Sequence, residues 1–262
     1  MNISLSGRTA LVSGSTQGIG KATAVGLASM GARVILLARD ESKLKKVVNE
    51  LPVIGDVMHD YAVADFSNPD DVKRAIEKVV EKYPEINILI NNTGGPPAGK
   101  AIDAKIDDFK KAFDMHLICN HILTTHIVDG MKKSGYGRIV NIISTSVKQP
   151  LPNLGVSNTI RGAVANWSKT LSMELGPFGI TVNNVLPGAT ATARLDAIAE
   201  RVASQSGKSA SDVLTEMGKA SPMQRVGAPE EVANGVCFLA SPAASYINGI
   251  NLPVDGGRTG SL

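Results

Sequence analysis

The chain has 262 residues and a net charge of +3, from 27 basic and 24 acidic side chains, with 43% of its residues hydrophobic. That length suits one large α/β domain or two small ones, with a core that needs no disulfide or metal, and so apolar a composition argues against disorder. The dispersed charge argues against a nucleic-acid partner. Two cysteines without a spaced framework fit a reducing compartment, and no leader or bilayer-length apolar run is evident, so a cytoplasmic protein with no membrane partner is expected.

Short apolar runs alternate with amphipathic stretches along the whole chain. Strands are expected over 9–13, 33–37, 61–64, 86–90, 138–143, 180–186 and 250–254, and helices over stretches such as 21–30, 70–82, 106–132 and 155–175. In the last of these, Val164, Trp167, Leu171 and Leu175 form one apolar stripe. Continuously apolar strands such as Val34-Ile35-Leu36-Leu37 need cover on both faces, as parallel strands do. The alternation predicts one α/β domain over 1–262, a Rossmann-like, doubly wound parallel sheet of about seven strands. Residues 193–223 break the pattern. This polar helical insertion reads as a lid over a ligand, or as a solvated excursion.

After the first strand comes Ser13-Gly14-Ser15-Thr16-Gln17-Gly18-Ile19-Gly20 and then a helix. Glycines there let the backbone turn tightly against a pyrophosphate, which the helix N-terminus attracts. The spacing is G-x-x-x-G-x-G rather than the standard dinucleotide fingerprint, and no Lys-Ser/Thr pair marks a triphosphate loop. The second strand ends Ala38-Arg39-Asp40, without the acid that would hold a ribose 2′-hydroxyl. Arg39 can instead fork onto a 2′-phosphate, favouring NADP(H), unless it is simply a solvated arginine.

With Asn91-Asn92-Thr93-Gly94 after the fourth strand, Pro187-Gly188 after the sixth and Val254-Asp255-Gly256-Gly257 near the end, the chain from about Ser6 to Gly257 resembles the short-chain dehydrogenase/reductase family. It is similar in particular to its 3-oxoacyl carrier-protein reductases. The resemblance implies that Gly14, Ser15, Gln17, Gly18, Ile19 and Gly20 cradle the phosphates. Asp65 and Phe66 would flank the adenine, Asn91, Thr93 and Gly94 close the crevice, and Pro187, Gly188, Thr190 and Thr192 hold the nicotinamide end. The long helices over 106–132 and 155–175 look like those that pair subunits in family homodimers and homotetramers. Apolar positions on them such as Ile118, Ile122 and Trp167 serve internal packing equally well.

The family's catalytic pattern is broken here. Its members use an Asn, a Ser and a Tyr-x-x-x-Lys pair. The Ser is present as Ser144, but the register from Gly162 to Leu175 puts Ser157 in the Tyr position and Arg161 in the Lys position, with His116 at the Asn position. A serine hydroxyl is shorter and a far weaker acid than a phenol of pKa about 10. An arginine gives up no proton but binds oxyanions. None of Tyr61, Tyr83, Tyr136 and Tyr246 falls where a replacement is needed.

Two functions follow. One is an NADP(H)-dependent oxidoreductase interconverting a carbonyl and an alcohol. In it Ser144 would bond the substrate oxygen, Arg161 stabilise developing charge or keep the ribose contact, and His116 donate the proton directly or through water. His116 is alternatively a helix histidine keeping a structural hydrogen bond. The other function is a catalytically silent NADP(H)-binding regulatory or partner protein. His116, His121 and His126 recur at spacings of five, off one helical face, so no metal site is expected. Lys100, Lys148, Arg161 and Arg194 fall on segments that would rim the site. They hint at an anionic substrate, or are scattered surface charge.

Overall fold

The computed structural model describes residues 1–261. Seven parallel strands form one sheet: β1 (Thr9–Ser13), β2 (Arg33–Ala38), β3 (Asp60–Val63), β4 (Ile88–Asn91), β5 (Gly137–Ile142), β6 (Ile180–Pro187) and β7 (Asn251–Val254). Their spatial order is β3-β2-β1-β4-β5-β6-β7. The order reverses between β1 and β4, and there the carboxyl ends of the two strands open a crevice of the kind that binds ligands in wound sheets. The strands lie within a residue or two of their expected bounds.

Helices cover both faces: α1 (Gly18–Ser29), α2 (Glu41–Glu50), α3 (Pro69–Lys82), α4 (Ile106–Phe113), α5 (Cys119–Ser134), α6 (Gly155–Leu175), α7 (Ala193–Ser206), α8 (Ala210–Lys219) and α9 (Pro229–Ala240). Successive strand residues feed opposite cores, as a period of two requires. Val34 and Leu36 pack with Leu27, Leu44 and Val236 on one face, whereas Ile35 and Leu37 pack with Ile76, Leu123 and Ile127 on the other. Helix α3 shows how the sequence sets an element. The Asn68 side chain accepts from the Asp70 and Asp71 amides, Pro69 opens the first turn, and Lys82 closes the last. Val72, Ala75, Ile76 and Val79 are its buried stripe.

The stretch 106–132, expected as one helix, is not continuous. A π turn over Asp114–Ile118 separates α4 from α5. Such a turn inserts one extra residue and re-aims a side chain, often at a functional site. Here it turns His116 inward, leaving it 1% exposed. Residues 193–223 are helical as expected, carrying α7 and α8. Among the described residues no helix is long and apolar enough to cross a membrane. Cys119 and Cys237 are both buried free thiols.

Candidate active site

The glycine loop has the shape its sequence implies. Gly14 lies at φ +58°, where a Cβ would fall 2.4 Å from the Asn92 carbonyl oxygen, so only glycine closes β1 against β4. Ser13 Oγ donates within 3.1 Å to the carbonyls of Ile90 and Asn92, and Asn92 Nδ2 donates to the Gly14 carbonyl. Gln17 caps α1 in an extended conformation, and the helix carries no acid in its first turn. Its N-terminal amides and dipole are thus left for an anion. Thr192, the N-cap of α7, lies against the loop at Gly18. The chain leaving β6 therefore returns to the phosphate cradle, with the Gly188 amide donating to Val254 and Thr190 Oγ1 donating to the Gly188 carbonyl.

At the other end of the crevice, Arg39 is exposed just past β2. Asp40 beside it is committed to capping α2, where its carboxylate accepts from the Lys43 amide and from Ser42. Hydrogen bonds from Ser67, with Arg39 nearby, hold the Asp65 carboxyl below the ordinary carboxylate range. Asp65 and Arg39 thus share one neighbourhood. The Phe66 ring is packed into the core with Val72 and Ile76, so its main chain is the part left to flank a base. Asn91 likewise does not offer its side chain to the crevice. It is 2% exposed, and its Nδ2 donates to Asn141 Oδ1 at 2.8 Å.

That contact is one rung of a ladder the sequence reading missed. Asn91, Asn141, Asn184 and Asn251 stand in register on β4, β5, β6 and β7. Asn141 Nδ2 donates to Asn184 Oδ1, and Asn184 Nδ2 to Asn251 Oδ1. The available signal was an asparagine at equivalent places inside otherwise apolar strands, such as Arg138-Ile139-Val140-Asn141-Ile142.

The four catalytic candidates gather where β4, β5 and α6 meet the π turn. Ser144 follows β5, and its Oγ accepts from the Ser146 amide at 3.1 Å. Ser157 and Arg161 are one turn apart on α6, each 8% exposed. Arg161 Nη1 donates to the Ile142 carbonyl at the end of β5, and its buried Nε has no partner. His116 Nδ1 is 2.6 Å from Thr93 Oγ1, and its buried Nε2 is also unpartnered. Burial, with Arg161 and Arg194 close by, drives the His116 pKa down to about 2. The imidazole is therefore neutral near pH 7. The sequence shows the histidine but not this desolvation. The four tyrosines are occupied elsewhere or exposed. Tyr136 donates to the Ala240 carbonyl, Tyr61 to Glu41 and Tyr83 to Asp60, while Tyr246 is fully exposed.

Open glycine cradle, free helix terminus and exposed arginine at the second strand end together fit a phosphorylated dinucleotide. The family profile described as "Enoyl-(Acyl carrier protein) reductase" matches residues 14–259. The chain belongs to the short-chain dehydrogenase/reductase family and is an oxidoreductase of that type. It is 34% identical to the short-chain reductase protein NovJ of Streptomyces niveus over 95% of this chain and 93% of that one. It is equally 34% identical to the 3-oxoacyl-[acyl-carrier-protein] reductase FabG of Rickettsia felis, over 97% and 98%. The L-sorbose reductase of Gluconobacter frateurii, solved with NADPH and L-sorbose, superposes over the whole of both chains with a TM-score of 0.93 at 29% identity.

Proposed function

We propose that the protein is an NADP(H)-dependent reductase of a small carbonyl compound, working without the family's Tyr-Lys pair. The observation that carries this reading is the convergence of Ser144, Ser157, Arg161 and His116 beside a complete dinucleotide cradle. Two of these side chains keep buried polar atoms unpartnered. Such atoms cost stability when left unmade, and a bound substrate and cofactor would supply their partners. The solved relative's NADPH supports the choice of cofactor, as does Arg39 where an acid would select NAD.

When bound, NADPH supplies a hydride to the carbonyl carbon. Gly14, Ser15, Gln17, Gly18, Ile19 and Gly20 would hold its pyrophosphate and Arg39 its 2′-phosphate. Asp65 and Phe66 would lie at the adenine. Thr93 and Gly94, with the Asn91 main chain, would line the crevice, and Pro187, Gly188, Thr190 and Thr192 would lie at the nicotinamide end. Ser144 donates a hydrogen bond to the substrate oxygen, and Arg161 stabilises the negative charge that develops on it. Arg161 remains cationic at neutral pH, although burial and Arg194 lower its pKa to about 10. Thr93 fixes the tautomer of neutral His116 by donating to Nδ1, which leaves the Nε2 proton as a further donor. Ser157 provides a hydroxyl through which a solvent proton reaches the product oxygen. Helices α7 and α8, over 193–223, act as the lid. Arg194 at the start of α7 donates to the Gly95 and Pro96 carbonyls at 2.8 and 2.9 Å and so ties that lid to the loop after β4.

The test follows nicotinamide absorbance with NADPH, then NADH, against a panel of carbonyl compounds. NADPH-dependent turnover is expected, and Ser144→Ala should lower kcat/KM by about 100-fold or more. Tight NADPH binding with no turnover of any carbonyl would instead indicate a silent binding protein.

A further inference from the structure

Two arginines of this chain pair with an acid, and a third has several carbonyl acceptors. Arg225 grips both oxygens of Glu231 at 2.6 Å, and Arg74 meets Asp71. Buried Arg138 has no carboxylate, but it donates to the Gly137, Gly179 and Ser241 carbonyls and stacks over Tyr136. Arg161 is different. It is buried, its one protein hydrogen bond runs to the Ile142 carbonyl, its Nε is unpartnered, and no acid pairs with it among the described residues.

A second guanidinium stands beside it. A Cβ on Gly95 would lie 2.9 Å from Arg194 Nη2 and 3.6 Å from Arg161 Nη2, so both groups converge on one backbone position. Arg194 has no acidic partner either among the described residues. Its acceptors are the Gly95 and Pro96 carbonyls. Thr93 and neutral His116 beside the pair bring no negative charge, and Arg201 adds a further cation near Arg194. Two cations held together repel each other, and buried Arg161 carries a desolvation cost that an anion offsets well, while Arg194 beside it is exposed and open to an incoming ligand. The cofactor's pyrophosphate is provided for elsewhere, at the α1 terminus against Thr192.

We propose that the Arg161–Arg194 pair binds the carboxylate of the substrate, so that the enzyme reduces oxo acids. This rests on the reductase reading, since Arg161 also serves the carbonyl oxygen in that mechanism. For the same reason the carboxylate lies close to the carbonyl, as in 2-oxo and 3-oxo acids. There a planar guanidinium can address both groups, and the second arginine takes the remaining carboxylate oxygen.

The test uses NADPH-saturated protein titrated calorimetrically with 2-oxobutanoate, 2-oxo-octanoate and 3-oxo-octanoate, and with their methyl esters, alongside turnover of each. Wild type is expected to bind at least one acid about 10-fold or more tighter than its ester. Arg194→Gln should weaken that acid by about 10- to 100-fold, the range of a lost charge-assisted contact, and weaken the ester distinctly less, since only the lid tie is lost for the ester. Arg194→Lys should retain most of the preference.

Equal binding of acids and esters by wild type overturns the inference, even where esters are reduced and the reductase reading stands. Equal loss for acid and ester in Arg194→Gln also overturns it, because that result marks Arg194 as only a lid tie. Loss confined to NADPH affinity would assign the pair to the cofactor and overturn it as well. Acid binding through Arg194 without turnover of any carbonyl would keep the carboxylate site and reject the reductase.

Discussion

His116 shows how one side chain's chemistry depends on where the backbone puts it. The π turn at 114–118 buries the ring against Thr93 with two arginines near it. Its pKa in the folded protein, about 2, lies below the ordinary histidine value of 6.5. The unfolded chain therefore takes up a proton that the folded chain refuses, and folding weakens as pH falls below 6.5. Between pH 7 and pH 5 this group should remove roughly 1–2 kcal/mol of stability. His116→Asn, which cannot titrate, should show a correspondingly shallower fall. Urea unfolding at the two pH values checks this, and parallel curves for wild type and variant would refute it.

At the scale of elements, the asparagine ladder joins four strands through side chains as well as main chain. Asn141 is its centre, bonded to Asn91 and Asn184 and, through Nδ2, to Ser168 Oγ on α6. Truncating it strands several buried polar atoms at once. Asn141→Ala should therefore cost about 3 kcal/mol, near the upper end for an unsatisfied buried group. Denaturant melting reads the loss, and a cost under about 1 kcal/mol would show that the neighbours re-pair. This ladder also tightens β4 to β5, whose ends carry Thr93 and Ser144. The sequence displayed each asparagine but not their alignment, because register is a property of neighbouring strands. The break between α4 and α5 was hidden for a similar reason. The helical periodicity of 106–132 continues through a single extra residue with little visible change.

At the scale of the molecule, the site exists only because segments far apart in the chain end at one crevice: the loop after β1, the loop after β4, the end of β5, helix α6 and the start of α7. The solvent face of helices α4 and α6 keeps exposed apolar side chains, among them Phe113 and Met173, while Trp167 packs edge-on against His121 within the chain. We propose that this face pairs subunits. Light scattering should then give a mass two or four times 27.4 kDa, and a monomer at micromolar concentration would reject the pairing.

What the sequence determined by itself was local and periodic. Seven apolar runs with helical stretches between them set a wound parallel sheet, since period and burial dictate layering. The glycine loop, Arg39, Ser144 and the substitutions at Ser157 and Arg161 stood in plain order along the chain. Tertiary structure alone decided protonation, partnership and charge balance. Burial made His116 neutral, sent the Phe66 ring and the Asn91 amide into the interior, and brought Arg194 across 32 intervening positions to lie beside Arg161 with no acid between them. Those properties depend on dielectric surroundings and on distances in space, neither of which is written into the spacing of residues.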